Sequence, residues 1–348
     1  MSIRWGVIGA GGIADRRTIP EGIMPAGCAE LVAVQDVAAD RVKAVAEKYG
    51  VADYYTREED LLSRSDLEAV YIATPTNAHA RQVKAAAAAG KHVLCEKPLG
   101  MTEEEIAEEI QVCQDAGVKL GVNFMMRFHA CHAQLREMVQ KGDLGKLVFG
   151  RAELTCWYPP IPGAFRQDPV LGGGGSLIDM GNHCIDLLEF IFGRVCEVSC
   201  FTGNLVQDYK SEDTALAMLR FESGAVGVVD ALFNVPDAAA RNALEVYGSK
   251  GSVTAVGTIG QDSSGSLTAV LERGDKGYDA AQVRTEGPAQ ETLTPAVVNM
   301  YQAHIEAFCR AIEEDTEAPI GGEEGLWSHR VIAACYEAAR TGKTVCLA

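Results

Sequence analysis

No apolar run among the 348 residues approaches the roughly 20 needed to cross a bilayer as a helix, so no membrane-spanning role is expected. Positive charge is scarce. Lys and Arg number 31 against 48 Asp and Glu, a formal net charge of −17, which makes nucleic acid and anionic membranes poor partners. No C-x-x-C occurs among the eleven cysteines, whose number is odd and spacing irregular. They read as small buried hydrophobes of a reducing compartment rather than as a disulfide or zinc framework. His129 and His132 lack a second pair at useful spacing, so they read as helix-face residues and no metal is expected. No internal repeat is evident. Residues 1–6 run straight into a strand without leader architecture, and a cytoplasmic location is expected.

What is present is a globular composition, 47% hydrophobic and 23% charged, at a length suited to two domains. The first third alternates short apolar runs with helical stretches. Strands are expected at Ile3–Ile8, Leu31–Val34, Ala69–Ala73, His92–Cys95 and Lys119–Val122. Helices are expected at Ala39–Tyr49, Ala78–Ala89 and Thr102–Ala116, closing on Gly50, Gly90 and Gly117, with Thr102 and Glu105 forming a capping box. This alternation implies right-handed crossovers and a parallel, doubly wound sheet.

The first strand runs into Gly9-Ala10-Gly11-Gly12-Ile13-Ala14. Gly9 permits a tight turn, Gly11 lets backbone approach a pyrophosphate, and Ala14 keeps helix and strand close. Gly12 and Ile13 open the helix, whose N–H groups would receive the phosphates. Asp36 ends the second strand, 22 residues beyond Ala14, where a carboxylate can accept both adenosine ribose hydroxyls and repel a 2′-phosphate. NAD is therefore expected over NADP. The same residues would also serve as an ordinary turn and a strand-end cap. Two more loops lie at strand C-termini. In Thr74-Pro75-Thr76-Asn77, contacts to the cofactor are expected from Thr74, Pro75 and Asn77, with His79 nearby; Asn77 would equally suit a helix N-cap. In Glu96-Lys97-Pro98 the proline biases Lys97 toward an extended backbone, from which it can project over the nicotinamide; a solvated ion pair is the plainer reading.

Beyond about residue 124 the period changes. Strands are expected at Phe149–Thr155, Glu197–Thr202, Thr214–Phe221, Ala225–Leu232, Ala243–Tyr247 and Ser252–Val256, with helices at Val297–Ala311 and Trp327–Arg340. Strands without intervening helices indicate an α+β domain with a mostly antiparallel sheet, one face of it free for an oligomer contact. Gly257–Pro288 reads as a flexible excursion. The division expected is 1–124 and 125–348, with the C-terminal helix free to pack back on the first domain. One segment carries chemistry: Gly172–Gly175, whose glycines would allow close approach to a ligand, then Asp179 and His183. Four residues apart on a helix, these share a face, and the acid would orient the histidine for proton transfer. By itself the pair would also suit a helix surface.

Taken together, these motifs resemble the Gfo/Idh/MocA family of NAD(P)-dependent oxidoreductases. The resemblance rests on Gly9–Ala14, Asp36, Ala73–His79, Cys95–Leu99, Asn123–Arg127 and Asp179–His183, and it spans nearly the whole chain. It implies a Rossmann domain followed by a domain with a large open sheet, often buried in dimers or tetramers. It further implies oxidation or reduction of a secondary alcohol of a sugar, cyclitol or related polyol. Lys97, Asp179 and His183 become the catalytic set: His183 as base, Lys97 on the reacting oxygen, Asp179 binding or orienting. Glu96 joins the cofactor residues. Asn123, Arg127, Trp157, Tyr158, Arg166 and Asn182 become substrate candidates, although Trp157 would equally suit sheet packing. A homodimer or homotetramer is expected. Two other activities use the same motifs in part: glycoside cleavage through transient oxidation by held NAD, and a non-catalytic NAD-binding sensor.

Overall fold

The computed structural model describes residues 2–347 apart from 273, 275–279 and 281–288. Six strands form the first sheet: β1 (Ile3–Ile8), β2 (Ala29–Gln35), β3 (Asp53–Tyr55), β4 (Ala69–Ile72), β5 (His92–Cys95) and β6 (Leu120–Val122). They are all parallel, in the order β3-β2-β1-β4-β5-β6. Val7, Ile8, Val70, Ile72 and Val93 are fully buried, as continuous apolar runs require when helices cover both faces. The helices are α1 (Ala39–Tyr49), α2 (Glu58–Leu62), α3 (Thr76–Ala88) and α4 (Glu103–Asp115). β3 and α2 went unread in the sequence because a three-residue polar edge strand and a one-turn helix have no usable period. α3 opens at Thr76 after Pro75, so Asn77 lies inside its first turn and is not the N-cap. Strand order reverses between β1 and β4, which opens a crevice at their C-terminal ends.

Among the described residues the second sheet has nine strands: β7 (Leu147–Thr155), β8 (Val195–Gly203), β9 (Thr214–Phe221), β10 (Val226–Leu232), β11 (Leu244–Gly248), β12 (Gly251–Val256), β13 (Ser266–Leu271), β14 (Gln290–Leu293) and β15 (Val345–Cys346). The order is β14-β13-β12-β11-β7-β10-β9-β8-β15, antiparallel except where β7 meets β10. Along β9, Ala215, Ala217, Leu219 and Phe221 point inward while Leu216 and Met218 are exposed. Four helices follow β6 and its 3-10 turn: α5 (Ala130–Gln140), α6 (Pro169–Gly172), α7 (Asn182–Phe192) and α8 (Met300–Glu313), with α9 (Gly322–Thr341) last. α7 lies close on β7 because Gly150 has no side chain: a Cβ there would meet Phe192 Cε2 at 2.5 Å.

Both C-terminal helices reach the first domain. Phe308 of α8 packs on Trp5, ring centroids 5.7 Å apart. Gly322 and Gly325 of α9 bring it against Ile110 and Val122, while Val331 and Ile332 enter the second core. The expected excursion is only partly that: residues 257–265 form a tied loop and β13 follows, whereas most of 273–288 falls outside the described residues.

Candidate active site

β1 ends at the glycine turn, where Gly9 has φ +81° and a Cβ would come within 2.9 Å of the Ala73 backbone. Gly11 packs beneath Arg41, whose Cδ would be 2.6 Å from a Cβ, and its N–H donates to Asp36 Oδ2 at 3.2 Å. Gly12 is the residue left open: it has φ +57° and nothing within 4 Å of its Cβ position. Of the two, Gly12 has the open space beside it, while Gly11 is covered by the Arg41 side chain. The chain continues as a π-helix, Ala14–Ile23, whose wide turns accommodate Pro20. A backbone cradle open at Gly12, at a helix start and a strand-order reversal, fits a dinucleotide pyrophosphate.

A cavity of about 690 Å³ lies between the two domains. From the first domain it takes Gly12, Ile13, Arg16, Thr74, His79, Glu96 and Lys97. From the second come Tyr158, Arg166, Asp179 and His183 among others. His79 ties two of the loops together, with Nδ1 2.9 Å from the Pro98 carbonyl and Nε2 2.9 Å from that of Thr74. The Lys97–Pro98 bond is cis. Glu96 accepts from the Tyr71 hydroxyl and, at 2.7 Å, from Asn123 Nδ2, which pins the end of β5.

On the cavity floor Lys97 Nζ donates to Asp179 twice, to its carbonyl and to Oδ1, each at 2.7 Å. Arg166 Nε lies 2.9 Å from the same Oδ1. Although burial opposes it, the two cations hold the Asp179 carboxyl well below the ordinary aspartate range. His183 stands beside them, edge-on to Phe124 at 6.1 Å between centroids. Burial first, and the Lys97 charge second, push it well below its usual 6.5, so its ring is neutral at physiological pH. Its Nδ1 has no hydrogen-bond partner among the described residues. Asp179 therefore serves the cations and does not orient the histidine as the spacing suggested. The reason is tertiary: Lys97, brought in from the end of β5, and Arg166 take the carboxylate, which spacing along the chain cannot show.

The glycine run also reads differently in place. A Cβ at Gly174 would meet the Tyr336 hydroxyl, and one at Gly175 the Glu212 backbone, both at 2.0 Å. Glu212 accepts from Gly175 N and Leu177 N at 2.9–3.0 Å. Gly172 and Gly174 do border the cavity, yet these glycines chiefly admit neighbouring protein.

A family model described as an oxidoreductase family with an NAD-binding Rossmann fold matches residues 3–124, and the GFO/IDH/MocA C-terminal domain matches 132–254. The 1,5-anhydro-D-fructose reductase of Ensifer adhaerens is 32% identical over 344 residues, covering 98% of this chain and 97% of its own. The chain belongs to the Gfo/Idh/MocA oxidoreductase family. The myo-inositol 2-dehydrogenase of Thermotoga maritima is 33% identical over 93% of this chain and 92% of its own. Among solved structures, the aldose-aldose oxidoreductase of Caulobacter crescentus superposes with a TM-score of 0.88 at 26% identity, over 100% of both chains. Levoglucosan dehydrogenase with NADH and levoglucosan bound has the same fold, with a TM-score of 0.86 at 21% identity and 99% of each chain covered.

The cavity of this Gfo/Idh/MocA oxidoreductase thus brings together Gly12, Ile13, Thr74, His79, Glu96, Lys97, Tyr158, Arg166, Asp179 and His183. Other sequence candidates lie outside its lining. Gly9 and Gly11 pack beneath the turn, and Pro75 and Asn77 face solvent. Asp36 is buried at the end of β2, with Oδ1 accepting from Ala38 N at 3.0 Å and Arg41 Nη1 3.6 Å away. Asn123 serves Glu96 and His304. Arg127 is held bidentately by Asp186, Trp157 is exposed beside Asp237, and Asn182 accepts from Ser328. Arg16, Cys156, Phe233, Asn242 and Gln261 were missed. Arg16 was within reach of sequence reasoning, one turn past the glycines; the others come together only when distant strand ends converge.

Proposed function

We propose that this oxidoreductase interconverts a secondary alcohol of a sugar, glycoside or cyclitol and its ketone or lactone, with Lys97, Asp179 and His183 as its catalytic residues. The observation that carries this reading is the cluster on the cavity floor: a neutral histidine next to a lysine–aspartate–arginine group, on the same cavity as Gly12 and Ile13. Gly12, Ile13, Arg16 and Thr74 would hold the dinucleotide, which when bound supplies the hydride acceptor. His183, unprotonated, takes the hydroxyl proton as the carbinol hydrogen leaves. Lys97 donates a hydrogen bond to the reacting oxygen and stabilises charge that develops on it. Asp179 fixes the Lys97 ammonium, and Arg166 supports that carboxylate beside Tyr158. Domain assignment follows: residues 1–124 hold the cofactor and 125–348 the substrate.

Asp36 supports NAD over NADP, since its carboxylate repels a 2′-phosphate. Exposed Phe201, Leu216, Met218 and Val226 on the outer face of the second sheet support a homodimer or homotetramer. Eleven free thiols suit the reducing cytoplasm. Among the described residues no helix is long and apolar enough to cross a membrane, and no group of three potential ligands is placed to hold a metal ion. The test is a panel of sugars, glycosides and inositols with NAD, read at the NADH absorbance. A substrate-dependent rise is expected; aglycone release without net NADH would reassign the chain to glycoside cleavage, and silence across the panel would remove the dehydrogenase reading.

A further inference from the structure

The loop joining β12 and β13, residues 257–265, is tied down more firmly than its composition suggests. Gly257, Thr258 and Ile259 donate their N–H groups to the carbonyls of Arg241 and Asn242. His132 Nε2 lies 3.0 Å from Thr258 Oγ1, and His129 Nε2 lies 3.0 Å from the Ser264 carbonyl. The remaining ring nitrogens assign the tautomers. His129 Nδ1 accepts from Cys131 N, so its proton is on Nε2 and donates to Ser264. His132 Nδ1 faces the Met126 carbonyl at 2.8 Å and must carry the proton, leaving Nε2 to accept from the Thr258 hydroxyl. Burial lowers both histidines, His132 to about 3, and so keeps the rings in the neutral form these bonds require. Ser263 Oγ accepts from Met300 N at 3.4 Å, which fixes the far side of the loop to the start of α8.

What the loop presents is Gly260 and Gln261, which border the same cavity as Gly12, Ile13 and Arg16. The next residue, Asp262, lies within electrostatic range of Arg17 on the π-helix that follows the glycine turn. The loop tip therefore sits at the phosphate-binding end of the cavity. Two glycines from different domains, Gly12 and Gly260, both leave open space where a Cβ would project. Gln261 is exposed and makes no side-chain hydrogen bond within the described residues.

We propose that residues 257–265 form a clasp over the pyrophosphate half of the cofactor. Gln261 donates its side-chain amide to the pyrophosphate alongside Arg16, and His129 and His132 act as positioning residues that hold the loop. This rests on the nicotinamide-cofactor reading and adds a grip from the second domain. A cofactor held from both domains leaves only when the clasp detaches, so its release rate answers to these residues.

The test measures NADH release by fluorescence on displacement with excess unlabelled cofactor, together with the equilibrium affinity of ADP-ribose, which keeps the pyrophosphate and lacks the nicotinamide. Gln261→Ala should speed NADH release and weaken ADP-ribose by about tenfold each, the effect of one lost hydrogen bond to a charged group. Because Gln261 is exposed, this variant retains the fold. Thr258→Val, nearly isosteric, should speed release by several-fold while the thermal midpoint stays within a few degrees. Unchanged NADH release in Gln261→Ala overturns the clasp, and an unchanged ADP-ribose affinity overturns its placement on the pyrophosphate. Unchanged release in Thr258→Val overturns the positioning role of His132. Failure of the unaltered chain to bind NADH would instead overturn the cofactor reading itself, which separates the two failures.

Discussion

Two arginine–aspartate pairs lie one helix segment apart, and they behave oppositely. Asp186 on α7 receives Arg127 through both Nε and Nη2, at 2.6–3.1 Å, yet burial wins and its carboxyl is pushed above the ordinary range. Asp179 receives Arg166 and also Lys97, and its carboxyl is held far below that range. The second cation makes the difference. One partner roughly offsets the cost of desolvating a carboxylate, whereas two overwhelm it and leave positive charge facing the cavity. Glu109 on α4 completes the series with no cation bonded to it: both its oxygens lack partners among the described residues, and burial raises it to about 9. Cation count separates a carboxylate kept ionised on the cavity floor from a buried pair in near balance and from a carboxyl kept neutral.

Removing Lys97 breaks the contrast most severely. Lys97→Ala turns Asp179 into a one-cation carboxylate and should lower kcat by about 10²–10⁴-fold, with NAD affinity within a few-fold of the parent. Lys97→Arg restores the charge without full activity, because a guanidinium neither gives up its proton nor fits the ammonium site. The same lysine helps depress His183, so in Lys97→Met the acid limb of the residual single-turnover rate should move to higher pH. His183→Ala should lose activity comparably with no acid limb of this origin. Wild-type hydride-transfer rates in both Lys97→Ala and His183→Ala would remove the catalytic assignment.

Next in size is the exchange of roles between the arginines. Arg127→Met strands a buried aspartate and should cost about 3–5 kcal/mol in urea unfolding, while folded protein keeps its substrate KM. Arg166→Met should do the reverse, raising KM or lowering kcat with little loss of stability, since Lys97 still pairs Asp179. If both variants lose stability equally, the distinction drawn above is wrong.

Glu109 gives a smaller and pH-dependent effect. Its folded value lies above its unfolded one, so the native state holds the proton and stability is lost as pH rises toward about 9. Glu109→Gln should be nearly neutral at pH 5 and more stable than the parent at pH 9, by about 1–3 kcal/mol. Parallel melting curves across that range would show that the carboxyl has found a partner.

The smallest effect concerns the carboxylate at the adenosine end. Asp36→Ser should lower the NAD-over-NADP preference at least about tenfold, or ~1.4 kcal/mol, with Arg41 then free for a 2′-phosphate. An unchanged ratio in steady-state kinetics would mean the ribose lies elsewhere.

Sequence alone determined a good deal of this protein. Continuous apolar runs placed β1, β2, β4, β5 and β6, since a strand buried on both faces must be apolar throughout, and the glycine turn, Asp36 and Lys97 could be located because they sit where those runs end. Alternation found β7 to β12 for the same reason, through one covered face. Tertiary structure decided the rest. Whether Arg127 or Arg166 reaches the cavity depends on which carboxylate each meets after α7 docks on β7, and no local pattern encodes that meeting. Asp179 and His183 looked like an orienting pair from their spacing alone; in the fold Lys97 and Arg166, from distant segments, take the carboxylate instead. The loop at residues 257–265 looked slack because Gly, Ser and Asp carry no period. Part of its order comes from two histidines more than a hundred residues away in the chain, brought near only by the closed fold.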